Sequence, residues 1–274
     1  MTIQAQWKEI EKGLIWQNWS APDAKAHLIL VHGMGAPTSR WEDLAQFFVV
    51  NGFEVSAIQM RGWGSNAGKT PGHINSFKTY YKDINKMIQH KLSEKKLPVF
   101  GLGESMGALI LLGMQLDYPD VFKGLVLFAP ALQDKLPFSL WRRAQIALML
   151  PLCPWFAFKM PFNPEMTTRD QAMIKMMRQD VNEKHVASPS TLLQNLQVRV
   201  RVRKNAEKFN VPIYIAQGGQ DLFMNASVTE DFAKKSKRTK YVLYPQMFHG
   251  ISIDLDREKV FTDVLIWLNS LPVN

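Results

Sequence analysis

Apolar residues in this chain fall into short unbroken runs, separated by longer stretches where they recur every three or four positions. The unbroken runs are AHLILVHG (Ala26–Gly33), FEVSAIQM (Phe53–Met60), PVFGLGES (Pro98–Ser105), GLVLFAP (Gly124–Pro130), VPIYIAQGG (Val211–Gly219) and KYVLYP (Lys240–Pro245). They predict strands. Several lack a polar alternation, which suits strands covered on both faces, as in a parallel sheet.

The stretches between them carry a helical period. RWEDLAQFFVVNG sets Trp41, Leu44, Phe47 and Phe48 on one face and stops at Gly52. NSFKTYYKDINKMIQHKLSEKK does the same with Phe77, Tyr80, Tyr81, Ile84, Met87 and Ile88. MGALILLGMQLDYP is apolar nearly all round, which predicts a buried helix, and REKVFTDVLIWLNS closes the chain. Strand–helix alternation of this kind predicts an α/β architecture with a doubly wound, mostly parallel sheet.

The alternation fails between Ala131 and about residue 210, a stretch rich in Met, Trp, Pro and basic residues with no convincing buried strand. We read it as a mostly helical insertion. The division is a core of residues 1–130 and 205–274 and an insertion of residues 131–204. One segment stays open: QVRVRVRK (Gln197–Lys204) alternates like a strand among helical neighbours, and a solvated arginine face is the plainer account.

Composition narrows the class only a little. The 274 residues, 46% apolar and 21% charged, suit one large α/β domain or one domain with an insertion. A single cysteine, Cys153, excludes an internal disulfide and points to a reducing, cytoplasmic setting. The N-terminal stretch lacks a basic start followed by an apolar core, so no signal peptide is expected. The longest apolar stretch, Ile146–Phe162, is broken by Pro151, Pro154 and Pro161 and contains Lys159, which makes it a poor membrane span. A net charge of +9 favours anionic surfaces, but solvated lysines explain it equally. No nucleic-acid module accompanies it, so no nucleic-acid partner is expected. Oligomeric state leaves no mark in the sequence.

The candidate chemistry begins at a corner. Gly103-Glu104-Ser105-Met106-Gly107 fits G-x-S-x-G between a predicted strand and a predicted helix. At such an elbow the serine occupies a tight, strained turn, and the glycines let that turn close on its neighbours. The alternative is a plain helix N-cap serine. A nucleophilic serine needs a base, and the base needs a carboxylate. Downstream, IAQGGQD ends a strand at Asp221, and YPQMFHG presents His249 before the last helix. The order serine, acid, histidine is the one expected at such an elbow. Asp254 and Asp256 are rival acids, ranked lower as anions leading into the last helix. His27, His73, His90 and His185 read as structural or solvated. The turn His32-Gly33-Met34-Gly35 brings flexible backbone beside the elbow. Its Met34 N–H can pair with that of Met106 to bind a developing oxyanion, with His32 holding the turn.

VHGMG, RGWGSNAG, GESMG, GGQD and FHG together resemble the α/β-hydrolase superfamily, and within it the monoacylglycerol lipase, lysophospholipase and serine aminopeptidase-like group. The resemblance covers residues of roughly 20–130 and 205–274. It implies the α/β-hydrolase fold with the insertion as a helical cap, Ser105 as nucleophile, Asp221 as acid, His249 as base, and the Met34 and Met106 N–H groups as oxyanion donors. It implies no metal and no organic cofactor. Arg61-Gly62-Trp63-Gly64 matches the family's architectural R-G-x-G turn, and Ala108 departs from a frequent glycine. The implied activity is hydrolysis of carboxylic esters with an apolar, lipid-like acyl chain. The same triad also serves peptidases, thioesterases and acyltransferases, and the fold also serves binding proteins.

The insertion adds a hint about substrate. FSLWRRAQIALMLPLCPWFAFKMPF combines tryptophans and long aliphatics with Arg142 and Arg143. Such a segment can cover a lipophilic pocket or touch a membrane peripherally. Met166, Met173, Met176 and Met177 are candidates for an adaptable apolar wall, or for packing between cap and core.

Overall fold

A computed structural model describes residues 3–135 and 138–272. The elements follow in order as β1 (Gln6–Glu11), β2 (Leu14–Trp19), β3 (Ala26–Val31), α1 (Glu42–Val50), β4 (Phe53–Gln59), α2 (Phe77–Glu94), β5 (Val99–Glu104), α3 (Met106–Asp117) and β6 (Gly124–Phe128). Then come α4 (Leu140–Leu152), β7 (Phe158–Lys159), α5 (Gln171–Gln179), β8 (Val186–Ala187), α6 (Pro189–Lys204), β9 (Ile213–Gly218), α7 (Ala226–Lys235), β10 (Thr239–Tyr244) and α8 (Arg257–Asn269).

All six expected strands lie in one eight-stranded sheet of order β1-β2-β4-β3-β5-β6-β9-β10. The pairings from β4 to β10 are parallel, and those of β1 with β2 and β2 with β4 are antiparallel. Side chains alternate across a strand, so a strand buried on both sides needs apolar residues at every position. In β3, Ile29 and Val31 join the cluster under α2, α3, α6 and α7, while Leu28 and Leu30 join the one under α1 and α8. The parallel strands therefore end at a common edge, where the loops after β3, β5, β6, β9 and β10 gather.

The sequence pattern missed the β1–β2 hairpin. β1 is exposed along its whole length and carries Lys8, Glu9 and Glu11, so no burial pattern marks it. The α7 helix between β9 and β10 was also not anticipated. The helical insertion between β6 and β9 contains α4, α5, α6 and the two-residue strands β7 and β8. Among the described residues no helix is long and apolar enough to cross a membrane.

The open segment is helix. Gln197–Lys204 forms the second half of α6, whose start is fixed by Ser188, its hydroxyl accepting from Thr191 N, and by Pro189 in the first turn. Val198 and Val202, four residues apart, are buried against the core, while Val200 is 43% exposed. The arginines find separate carboxylates, Arg199 on Asp134 and Arg201 on Asp117. Tertiary contact on one helical face thus overrides a period-two pattern. Val198→Ala and Val202→Ala should each lower the unfolding free energy by about 1–2 kcal/mol in urea titrations. Val200→Ala should stay within about 0.5 kcal/mol. Equal costs at the three sites would contradict the helix.

Candidate active site

Ser105 sits where buried β5 meets buried α3, with φ 55° and ψ −115°. This is positive-φ backbone for a residue with a Cβ, and such strain costs roughly 1–3 kcal/mol. The surroundings enforce it. Ser105 N donates to Phe128 O at 2.9 Å, and Ala131 N donates to Ser105 O at 3.1 Å. A Cβ on Gly107 would lie 2.0 Å from Val31 O, and one on Gly103 would lie 2.6 Å from Ala108 N. The Ser105 side chain makes no capping bond to α3, so the N-cap alternative is not realised.

Asp221 follows the end of β9 and is fully buried. Its Oδ1 accepts from Phe223 N at 2.8 Å and Met224 N at 2.9 Å. Its Oδ2 accepts from Gln217 Nε2 and from His249 Nδ1, both at 2.9 Å. Burial alone would raise this carboxyl, yet His249 and the two backbone donors hold it below the usual carboxylate range. His249 is 8% exposed. Burial opposes charge on its ring, but Asp221 outweighs burial and the imidazole titrates above its ordinary value. The carboxylate keeps the proton on Nδ1 and leaves Nε2 as an acceptor.

Ser105 and His249 line one cavity of about 690 Å³, together with Met34, Met106 and Glu104. Among the described residues no hydrogen bond joins Ser105 Oγ to His249. Such bonds are often long in ligand-free sites and tighten when substrate binds.

The turn after β3 is held by His32, as the sequence implied. Its Nδ1–H donates to Gly33 O at 2.8 Å, and its Nε2 accepts from Met60 N at 3.1 Å. Burial lowers its pKa to about 4, so the ring stays neutral. Among the described residues neither the Met34 nor the Met106 backbone N–H finds a protein acceptor. Arg61 is architectural: its guanidinium bonds Asp83 at 2.7 Å and Lys12 O at 3.0 Å.

One expectation is corrected and two are made specific. Of the two roles open to Met166, Met173, Met176 and Met177, the cavity wall is not realised: Met177 is buried at 2% exposure, and Ile146, Leu150, Met160, Phe162, Leu192 and Leu196 line the cavity instead. Asp254 is not an anion at the start of α8. It is fully buried and accepts from Phe248 N at 2.8 Å, and from Arg169 N and Leu255 N at 2.9 Å. It therefore braces the His249 loop, while Asp256 occupies the α8 N-cap position. His185, expected to be structural or solvated, has a packing role at the cavity wall, where it stacks on Phe162 at 4.0 Å. Burial, aided by Arg40 and Lys159, lowers its pKa to about 4.

Sequence reasoning also missed a clasp between the insertion and the β3 turn. Arg40 Nε donates to Glu183 Oε1 at 2.6 Å, and Lys184 N donates to Gly35 O at 3.0 Å. Partners 143 residues apart leave no local signal. Among the described residues no three His, Cys, Asp or Glu side chains group closely enough to hold a metal ion.

Residues 22–256 match the family model described as serine aminopeptidase, S33. The chain is 21% identical over 262 residues to the monoacylglycerol lipase of Mycolicibacterium smegmatis, spanning 94% of this chain and 93% of that protein. It is 23% identical over 247 residues to an uncharacterized abhydrolase domain-containing protein of Dictyostelium discoideum, spanning 89% of this chain but 26% of that protein. The crystal structure of Paleococcus ferrophilus monoacylglycerol lipase superposes with a TM-score of 0.85 at 22% identity, covering 94% of this chain and 98% of that one. At that identity the superposition speaks for the fold.

The buried His249–Asp221 pair is directly testable. In the unaltered protein the His249 ring should titrate above about 6.5, as read by ¹⁵N NMR. Asp221→Asn removes the attraction and leaves the burial, so the midpoint should fall below that value. An unmoved midpoint would contradict the carboxylate as its cause.

Proposed function

Because the chain belongs to the serine aminopeptidase, S33 family of the α/β-hydrolase superfamily, we propose that it is a serine hydrolase cleaving carboxylic esters with an apolar acyl chain. The observation that carries the reading is the buried Asp221–His249 pair opening onto the cavity that Ser105 lines. Ser105 Oγ attacks the ester carbonyl as His249 Nε2 takes its proton. The Met34 and Met106 N–H groups hold the oxyanion. Collapse breaks the ester C–O bond, and His249 returns the proton to the leaving alcohol. Water, activated by the same imidazole, then releases the acid and restores Ser105. Largely aliphatic and aromatic walls favour an acyl chain over a polar peptide. In this reading residues 131–204 are the cap and residues 1–130 and 205–274 the core, in a reducing compartment where Cys153 stays a thiol.

A fluorophosphonate probe should label Ser105, and p-nitrophenyl esters should be turned over in preference to aminoacyl naphthylamides and acyl thioesters. Ser105→Ala should abolish labelling and lower ester turnover by roughly 10⁴-fold or more. Preferred turnover of amides would instead favour a peptidase. Absence of both labelling and turnover would favour a binding protein.

The cap also supports peripheral contact with an anionic lipid surface. No side chain of α4 is buried, and Leu140, Trp141, Leu148 and Leu152 are exposed at 83%, 74%, 64% and 63%. Arg142 and Arg143 adjoin them on a chain of net charge +9. Co-sedimentation should be stronger with phosphatidylcholine vesicles containing phosphatidylserine than without it. Trp141→Ser with Leu148→Ser should weaken binding about tenfold. Equal sedimentation of the variant would remove α4 from the contact.

A further inference from the structure

One buried carboxyl stands beside Ser105 with no part in the proton relay. Glu104 ends β5, is 7% exposed and lines the cavity. A carboxylate withdrawn from water is costly unless donors meet it. Here one residue meets both oxygens: Ser252 N donates to Oε1 at 3.0 Å and Ser252 Oγ to Oε2 at 2.9 Å. Ser252 lies three residues beyond His249, in the short 3-10 turn Ile251–Ile253.

These two bonds tie the strand carrying Ser105 to the loop carrying His249. The other restraints on the loop run elsewhere. Phe248 N reaches Asp254 at 2.8 Å, and Gly250 N reaches Thr167 O at 2.8 Å, so the loop is braced against itself and against the insertion. Among the described residues no other hydrogen bond joins the Ser105 corner to this loop. The tie matters because the Ser105–His249 bond is not preformed, and a displacement of about 1 Å can cost 10²-fold in rate.

Charge points the same way. The anionic groups acting on His249 are Asp221 from the loop after β9, Glu104 from β5 and Asp134 from the segment after β6. Asp134 is paired with Arg199 of α6. Arg40 acts on Glu104 from the turn before α1 and is itself paired with Glu183. His185 lines the same cavity, with a pKa lowered to about 4 that leaves it neutral. Asp221 is the main group raising the ring, and Glu104 and Asp134 act in the same direction.

We propose that Glu104 is a positioning residue of the active site: its carboxyl group, gripping Ser252, fixes the His249 loop against the Ser105 corner. The inference rests on the reading of Ser105 as nucleophile and His249 as base.

The test compares Glu104→Gln, which keeps the shape and loses the charge, with Ser252→Ala, which loses one of the two donors. Ester kcat and KM, their pH profiles, the melting temperature and the His249 ¹⁵N titration are read for each. Glu104→Gln should lower kcat about tenfold or more, with KM changed less than about twofold. The acid-limb inflection and the His249 midpoint should both move down. Ser252→Ala should act in the same direction by a smaller factor. An unchanged kcat and an unchanged midpoint, even with a lowered melting temperature, would make Glu104 merely structural and overturn the proposal. Should Glu104→Gln not fold, the same readings on Ser252→Ala decide, and unchanged values again overturn it. Wild-type inertness to esters and to the fluorophosphonate would defeat the hydrolase reading instead. The His249 midpoint would still report separately on the Glu104 charge.

Discussion

The site depends on how closely α3 can follow β5. A helix can begin directly after a buried parallel strand only if its first turn presses against both the strand it leaves and the strand beside it. Here the approach is so close that a methyl group on Gly107 would lie 2.0 Å from the Val31 carbonyl. That contact, with Gly103 against Ala108, leaves Ser105 at φ 55° and no slack to relax. The strain is affordable because the corner is embedded in the sheet, with Ser105 N and O both bonded to the segment around β6. The constraint also selects the edge where the chemistry gathers. Parallel strands all end on the side where Ser105 projects, so the loops after β3 and β9 and the His249 loop after β10 reach the same place.

What hangs from that edge is held by buried polar groups rather than by packing alone. The His249 loop is gripped by Asp254, by Thr167 of the insertion and by Glu104. The β3 turn is gripped by His32 from within and by Lys184 and the Arg40–Glu183 pair from the insertion. The insertion is therefore bonded to both sides of the cavity as well as roofing it. Breaking one partner of a buried ion pair typically costs several kcal/mol, more than most surface contacts provide. The position of the insertion and the geometry below it are consequently not independent.

How much of this could be read from the sequence follows from the range of each interaction. Five core strands and the helices α1, α2, α3 and α8 were legible because burial on both faces writes continuous apolar runs, and burial on one face writes a helical period; β10, half-exposed at the sheet edge, was legible from its apolar and aromatic run alone. The elbow was legible because glycines at fixed offsets from Ser105 answer to backbone clearance. The β1 strand was not, since an exposed edge imposes no pattern. The second half of α6 misled because Val200 completes an alternation that only Val198 and Val202 use. The contacts of Glu104, Glu183, His185 and Asp254 were not legible for one reason. Each is defined by a partner distant in sequence or by a loop's return path, and no local pattern encodes that.

Asp221 and Glu104 show how one edge can treat two carboxyls oppositely. Both are buried, and burial alone raises both. Asp221 has three nitrogen donors besides its bond to His249, and its pKa ends below the ordinary range. Among the described residues Glu104 has Ser252 alone, and its pKa ends above the ordinary range. The linkage signs follow. Asp221 adds stability above the unfolded carboxylate pKa, and this is lost as pH falls through its depressed folded value. Glu104 does the reverse: its contribution is full in acid and is lost as pH rises through its elevated folded value. A neutral side chain at the end of β5 would avoid that loss. A carboxyl kept at the wall of a reactive cavity in spite of that loss is most simply explained by what it does there, and among the described residues the partner Glu104 holds is the loop that presents His249.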